Sequence, residues 1–167
     1  MEELIALLDR NGVKLLVDIR TAPGSWRIPH FAKAAMELSL PAAGIAYLHM
    51  AELGGLRKPL RDSPNTGWRN DGFRGYADYM QTADFWAALR RLEEMAAQRR
   101  TAIMCAEAVP WRCHRSLVSD ALTASGVDVR HITGAGEPSV HRITPFAVVE
   151  EGRVTYPPPY TLALGEE

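Results

Sequence analysis

The sequence predicts an α/β domain with a three-layer helix–sheet–helix core, a mainly parallel, Rossmann-like sheet and a small C-terminal hairpin. Short apolar runs alternate along the chain with amphipathic stretches of helical period, the pattern of strands joined by crossover helices. Lys14–Asp18 carries a continuous apolar run, which is typical of a parallel strand buried on both faces. The 167 residues are enough for one domain with a substantial core, so we expect a single domain over residues 1–167.

The first half of the chain predicts two helices and two strands, followed by a long irregular segment. Asn11-Gly12 and Gly44 are helix stops, and Pro41 must end, kink or restart the second helix. The predicted elements are, in order, a helix over Glu3–Arg10, a strand over Lys14–Asp18, a loop over Thr21–Phe31, a helix over Lys33–Ala42, a strand over Ile45–Leu48 and an irregular segment over Ala51–Tyr76.

The second half predicts further strands and helices in alternation. The clearest helix covers Asp84–Arg99, with Thr82 or Asp84 as its cap and an apolar stripe on one face. Phe146–Glu150 and Arg153–Tyr156, separated by Glu151-Gly152, predict a β-hairpin. The other predictions are a strand over Thr101–Met104, a helix that follows Arg115 and stops at Ser125-Gly126, a strand over Val127–Ile132 and an extended tail over 157–167.

The composition of the chain argues against a membrane protein and against a disulfide-stabilised secreted protein. The net charge of −1 gives no global field that would attract the chain to nucleic acid or to a membrane surface. No apolar run is long enough to span a bilayer, and no secretory signal pattern is present. Two cysteines do not suggest a disulfide framework. We therefore expect a cytoplasmic protein in a reducing compartment, with no membrane partner.

One stretch, Thr101–Arg115, concentrates reactive side chains. It contains both cysteines, a carboxylate, two arginines and a histidine, between a predicted strand and a predicted helix. In α/β proteins such a turn lies at the carboxyl edge of the sheet, where ligands bind. Right-handed crossovers favour a strand order in which Lys14–Asp18 lies next to the strand that precedes Cys105. We therefore expect Asp18, Arg20 and Cys105 at one edge of the sheet.

These residues predict a site for a small anionic or phosphate-bearing ligand. The N-terminus of the following helix carries free N–H groups and about half a positive charge, which attracts anions and lowers the pKa of a nearby thiol. Cys105 would act as nucleophile or redox thiol, and Glu107 or His114 would move a proton. The arginines expected to hold the anion are Arg20, Arg112 and Arg115. The C-x6-R spacing from Cys105 differs by one residue from phosphatase-type C-x5-R loops, so a phosphatase is not predicted.

Two other functions are compatible with the residues but less favoured. Ligand types for zinc are present in Cys105, Glu107, Cys113 and His114, although their spacing does not match that of zinc deaminases. The second alternative is a non-catalytic module that binds nucleotide or single-stranded nucleic acid. The basic residues of Leu53–Gly75 alternate with aromatic residues that could stack on bases, namely Trp68, Phe73 and Tyr76. His131 ends a predicted strand and could face the same edge as Cys105. Cofactor and oligomeric state stay open.

Several blocks of residues occur together in an order found in one known family. They are Leu16-Val-Asp-Ile-Arg20 with Pro23, Gly44-Ile-Ala-Tyr47, Leu53-Gly-Gly55, Phe73-Arg-Gly-Tyr-Ala-Asp-Tyr-Met80, Met104-Cys-Ala-Glu107, Cys113-His-Arg115 and His131-Ile132. With these blocks the chain resembles the domain of unknown function 488 family over about residues 1–132. Cys-Ala-Glu followed by Cys-His-Arg is the most diagnostic part.

The resemblance implies a cytoplasmic α/β domain and no settled activity. Family members usually begin with a strand resembling Thr-Ile-Gly-His-Ser, which this sequence lacks, so the resemblance implies a further strand ahead of the first helix. It also implies a set of site residues, of which Asp18, Tyr76 and Cys113 are expected to contribute to ligand binding. The full set is Asp18, Arg20, Gly54, Gly55, Tyr76, Cys105, Glu107, Cys113, His114 and Arg115.

Overall fold

The computed structural model describes residues 1–24 and 27–159. Its helices are α1 (Glu2–Arg10), α2 (Lys33–Ala42), α3 (Asp71–Tyr79), α4 (Ala83–Gln98) and α5 (Arg115–Ala124). Its strands are β1 (Leu15–Asp18), β2 (Ala46–His49), β3 (Thr101–Met104), β4 (Arg130–His131), β5 (Ser139–Val140), β6 (Val148–Glu150) and β7 (Arg153–Thr155). Short 3-10 turns cover Pro29–Phe31, Ala51–Leu53 and Pro110–Arg112. Ser25 and Trp26 of the predicted loop, and residues 160–167 of the predicted tail, lie outside the described residues.

Three parallel strands form the central sheet, in the order β2-β1-β3. Asp18 at the end of β1 lies opposite His49 of β2 and Met104 of β3. The chain is therefore an α/β protein, and the predicted adjacency of β1 and β3 is confirmed. The Ile19 N–H donates to the Met104 carbonyl oxygen at 2.9 Å, which extends the pairing by one residue. The segments that follow β1 and β3 consequently leave the sheet next to each other.

Strand β1 is buried on both faces, as its apolar run predicts. Leu15 and Val17 pack in one cluster with residues of α3, α4 and α5, whereas Leu16 packs in a second cluster with Leu8 of α1 and Met36 of α2. Because successive side chains of a strand point to opposite faces, the two clusters lie on opposite faces of the sheet. The three-layer, Rossmann-like arrangement stays a prediction, since the parallel sheet of the described residues has only three strands.

Helix α3 lies at the end of the segment for which the sequence predicted irregular structure. The Asn70 side chain caps it, accepting a hydrogen bond from the Phe73 N–H at 3.1 Å. Two glycines in nine residues lower the helical propensity of this stretch and conceal it from pattern reading. Gly75 is required by packing, because a Cβ there would overlap the Arg57 carbonyl oxygen and lie 2.6 Å from the carbonyl carbon of Lys58.

The region after α5 differs in part from its prediction. Of the expected Val127–Ile132 strand, only Arg130 and His131 form a β-strand. They pair antiparallel with β5 and do not join the parallel sheet. The predicted C-terminal hairpin is confirmed, since β6 and β7 pair antiparallel. Glu151 and Gly152 both have positive φ, 50° and 77°, which suits the two-residue turn between twisted strands.

Candidate functional site

A cavity of about 420 Å³ opens at the carboxyl edge of β1 and β3. Its wall is built by the segments that follow these two strands and by the residues just before α5. The remaining wall comes from the Gly55-Leu56 segment and from the start of α3. Seven of the residues predicted for the site line this cavity, namely Arg20, Gly55, Cys105, Glu107, Arg112, Cys113 and His114.

The two cysteines are joined across the cavity as a disulfide. This pairing was not expected from the sequence, which predicted a free and reactive Cys105. Both residues are nearly buried, with 8% of Cys105 and 6% of Cys113 exposed. Each Sγ also accepts a backbone N–H at 3.4 Å, that of Glu107 for Cys105 and that of Arg115 for Cys113. A thiolate formed on either sulfur therefore has a donor already in place.

His114 lies beside Cys113 in a defined orientation. Its Nε2 is 3.1 Å from the Ile19 carbonyl oxygen, and its Nδ1 is 3.6 Å from the Cys113 Sγ. A carbonyl oxygen only accepts, so Nε2 carries the hydrogen and the Nδ1 lone pair faces the sulfur. Burial lowers the pKa of His114, which outweighs the opposing effect of its backbone hydrogen bonds. The ring is therefore neutral at physiological pH, with Nδ1 next to the Cys113 sulfur.

Asp18 lies beneath the cavity and does not line it. Its side chain is fully buried, and its carboxylate accepts hydrogen bonds from Arg20 Nε at 2.9 Å and from the Tyr47 hydroxyl at 2.6 Å. Burial by itself would raise the pKa of Asp18, but these hydrogen bonds outweigh it and hold the pKa below its usual range. Asp18 thus orients Arg20 at the cavity wall, in place of the ligand contact that was predicted for it.

Tyr76 is also fully buried, and the structure does not place it in the cavity. Its hydroxyl donates to the Leu53 carbonyl oxygen at 2.7 Å, and its ring packs on that of His114 with 4.9 Å between centroids. Tyr76 therefore supports the position of His114, whereas the sequence predicted that it would bind ligand. The apolar environment of the α3 face explains the difference, since a tyrosine there can satisfy its hydroxyl with backbone.

Arg115 is a further predicted residue that does not line the cavity. Its backbone N–H faces Cys113, but its guanidinium turns away and donates to the Ala108 carbonyl oxygen at 3.2 Å. The side chain lines a larger groove of about 780 Å³ that runs along β3. Arg112 and Glu107, by contrast, are exposed at the mouth of the cysteine cavity.

The Gly54-Gly55 pair contributes to the site through its lack of side chains. A Cβ on Gly55 would lie 2.9 Å from His114 Nδ1, and one on Gly54 would lie 2.7 Å from Thr21 Oγ1. The Thr21 hydroxyl in turn donates to the Gly55 carbonyl oxygen at 2.9 Å. Sequence reasoning named the glycines only through the family pattern and missed Thr21, because nothing local to either segment indicates that they meet.

The aromatic residues proposed to stack on bases pack on other aromatic rings. Trp68 stacks on Phe73 with 4.8 Å between ring centroids and also contacts Phe146 and Tyr156. Trp68 and Tyr76 thus pack within the protein, whereas Phe73 also lines the cysteine cavity. Within residues 1–24 and 27–159, no group of three or more His, Cys, Asp and Glu side chains is arranged to hold a metal ion. Over the same residues, no helix has the length and apolarity to cross a membrane.

Comparison with known proteins identifies a family but no characterised relative. The model of one family, described as the domain of unknown function DUF488, matches residues 1–122. The match covers every residue of the cysteine cavity named above. Comparisons with curated proteins and with solved structures give no match.

Proposed function

We propose that this chain, which belongs to the DUF488 family, uses Cys105 and Cys113 as a redox-active pair that exchanges with a small anionic thiol or disulfide. The observation that carries this proposal is the position of His114 Nδ1, 3.6 Å from the Cys113 Sγ within a cavity that both cysteines line. In the reducing cytoplasm predicted from the sequence, such a pair alternates between disulfide and dithiol. The family name records no activity, so the proposal rests on the site.

Cys113 is the better attacking group of the two. In the dithiol form, the lone pair of His114 Nδ1 takes the Cys113 S–H proton, and the resulting thiolate accepts the Arg115 N–H. The N-terminus of α5 adds about half a positive charge at the same position. This assignment revises the sequence prediction, which gave the role of nucleophile to Cys105. Cys105, with only the Glu107 N–H as donor, is then the resolving thiol.

The exchange proceeds in two balanced steps. An incoming thiolate R–S⁻ attacks the Cys113 sulfur, forms a mixed disulfide there and expels Cys105 as a thiolate. A second R–S⁻ attacks the R-bearing sulfur of the mixed disulfide, releasing RSSR and the Cys113 thiolate. The protein disulfide gains two electrons and, after protonation, two protons, while two RSH are oxidised to RSSR. The reverse sequence, begun by the Cys113 thiolate, reduces a disulfide substrate.

The mouth of the cavity favours an anionic reactant. Arg112 lies there with its side chain exposed, and Arg20 is held at the wall by Asp18. A carboxylate or phosphate on the ligand would pair with these guanidinium groups. The exposed carboxylate of Glu107, on the same rim, is placed to take the proton of an incoming thiol.

The experiment compares Cys105→Ser with Cys113→Ser, which form a matched pair because each leaves one thiol. We expect the Cys113 thiol of Cys105→Ser to react rapidly with iodoacetamide, with a pKa below the ~8.5 of a free cysteine. The Cys105 thiol of Cys113→Ser should react more slowly. Phosphate should protect Cys113 in this background but not when Arg112→Gln is added. A Cys113 pKa at or above ~8.5, or equal rates for the two variants, would overturn the proposal.

A further inference from the structure

Three side chains that do not line the cysteine cavity form a hydrogen-bonded chain. The Oδ1 atom of Asp120 lies 2.8 Å from His141 Nε2, and His141 Nδ1 lies 2.8 Å from His131 Nε2. Asp120 is fully buried, whereas His131 is only partly buried and lines the groove along β3. This series of hydrogen bonds therefore runs from the protein interior to a surface groove.

The inner end of this chain is fixed as an acceptor. The Asp120 carboxylate accepts hydrogen bonds from the Thr144 N–H at 3.0 Å, from the Thr144 hydroxyl at 2.7 Å and from the Tyr156 hydroxyl at 2.7 Å. Burial, and then the negative charge of Asp120, raise the pKa of Tyr156, so this phenol stays protonated and keeps donating. A carboxylate with these three donors can only accept from His141, so His141 Nε2 carries a hydrogen.

The hydrogen on His141 Nε2 determines the positions of the hydrogens on the other ring nitrogens of His141 and His131. When both rings are neutral, His141 Nδ1 is the acceptor, so His131 Nε2 carries the hydrogen and His131 Nδ1 keeps its lone pair. Burial, the neighbouring His141 and the positive charge of Arg115 lower the pKa of His131. His131 is thus neutral at physiological pH, and its Nδ1 is the basic atom at the outer end of the chain.

Arg115 supplies a positive charge in the same groove. Among the described residues its guanidinium forms no ion pair with a carboxylate, and it donates to the Ala108 carbonyl oxygen at 3.2 Å. Burial lowers the pKa of Arg115, with no opposing carboxylate. The other charged residues that line the groove are Glu93, Arg100, Asp128 and Arg130. Asp128 and Arg130 pair at 3.0 Å on the exposed rim.

We propose that Arg115 and His131 form a second site, which binds a small anion carrying an acidic proton, and that Asp120, His141 and His131 form the proton relay of that site. A ligand proton passes to His131 Nδ1, and the Nε2 proton of His131 moves to His141 Nδ1. The positive charge then lies on His141 beside the Asp120 carboxylate. The ligand loses one proton and the relay gains one, so the transfer needs no other reactant.

The test is ¹⁵N NMR of the imidazole groups in the full chain, with inorganic phosphate as the probe and chloride at equal ionic strength as the reference. We expect the His131 and His141 resonances to titrate with a common midpoint. Phosphate should shift the His131 resonance saturably. Arg115→Gln should weaken this binding at least about tenfold, the equivalent of one charge-assisted hydrogen bond. His141→Gln should leave His131 to titrate alone.

The control for the phosphate measurement is Arg112→Gln, which alters the cysteine cavity and leaves the groove intact. It should change phosphate protection of Cys113 without changing phosphate binding at His131, so the two proposals can fail separately. Independent titration of the two histidines in the wild-type chain would overturn the relay. A His131 resonance that phosphate does not move, or equal binding by Arg115→Gln, would overturn the anion site. The wild-type measurements decide the matter even if a variant does not fold.

Discussion

The carboxylate of Asp18 holds the guanidinium of Arg20 two positions further along the chain, with Oδ1 2.9 Å from Nε and 3.0 Å from the Arg20 backbone N–H. The pair sits where β1 leaves the sheet, and only 11% of the Arg20 side chain is exposed. A second Asp-x-Arg pair, Asp128 and Arg130, has the same spacing but is more than half exposed. The chain therefore contains a buried ion pair and a matched exposed one.

Asp18→Asn should destabilise the protein by about 3 kcal/mol, because it leaves a nearly buried guanidinium without its counter-charge. The matched variant Asp128→Asn should cost less than about 1 kcal/mol, since water screens an exposed pair. Urea unfolding of both variants measures the two free energies. Equal losses would show that burial of the Asp18 pair does not matter.

The pH dependence of stability should show the lowered pKa of Asp18. In the unfolded chain this group titrates near ~3.9, whereas the folded pKa is lower. Its contribution is complete above the unfolded value and is lost as the pH falls through that value towards the folded pKa. The difference in unfolding free energy between wild type and Asp18→Asn should therefore be constant near neutral pH and shrink below about pH 4. A difference that grows in acid would contradict the assignment.

Gly55→Ala should disturb His114 without unfolding the protein. The added Cβ would lie 2.9 Å from Nδ1 and 3.3 Å from Cε1, so the ring must move away from its contact with Cys113. We expect the alkylation of Cys113, measured in the Cys105→Ser background, to slow at least about tenfold. This loss is part of the rate contribution of a correctly positioned base. Gly136→Ala is the control, because no atom lies within 4 Å of a Cβ there. Similar rates in the two variants would argue against His114 as the base.

Tyr156→Phe should lower stability by about 2 kcal/mol, since it removes a buried hydroxyl that donates to the Asp120 carboxylate at 2.7 Å. Tyr79→Phe removes a hydroxyl with a similar bond, to the Glu52 carbonyl oxygen at 2.6 Å, but at the surface. Water can replace that bond, so the loss should be below about 1 kcal/mol. Thermal unfolding of the two variants measures both losses of stability. A larger loss of stability for Tyr79→Phe would show that the negative charge of Asp120 adds little to the hydrogen bond of Tyr156.

Local pattern and strand-order rules were enough to predict much of this molecule. The strand over Thr101–Met104 has the predicted bounds, and β1 lies beside β3 as right-handed crossovers require. The carboxyl ends of parallel strands meet at one edge, which is why Arg20 and the cysteine-bearing turn reach one cavity. These features depend on hydrophobic periodicity and on chain connectivity, and both can be read along the chain.

Other features depend on contacts between segments far apart in the chain. Gly72 and Gly75 conceal α3, because glycine is a poor helix former and only the packing of Gly75 against Arg57 explains its presence. The Cys105–Cys113 bond, the outward turn of the Arg115 side chain and the relay from Asp120 to His131 all depend on side-chain directions. The order of the residues determines which groups lie at an edge of the sheet. Which of these groups contact one another depends on side-chain rotamers and burial, and these are fixed only when the whole core packs.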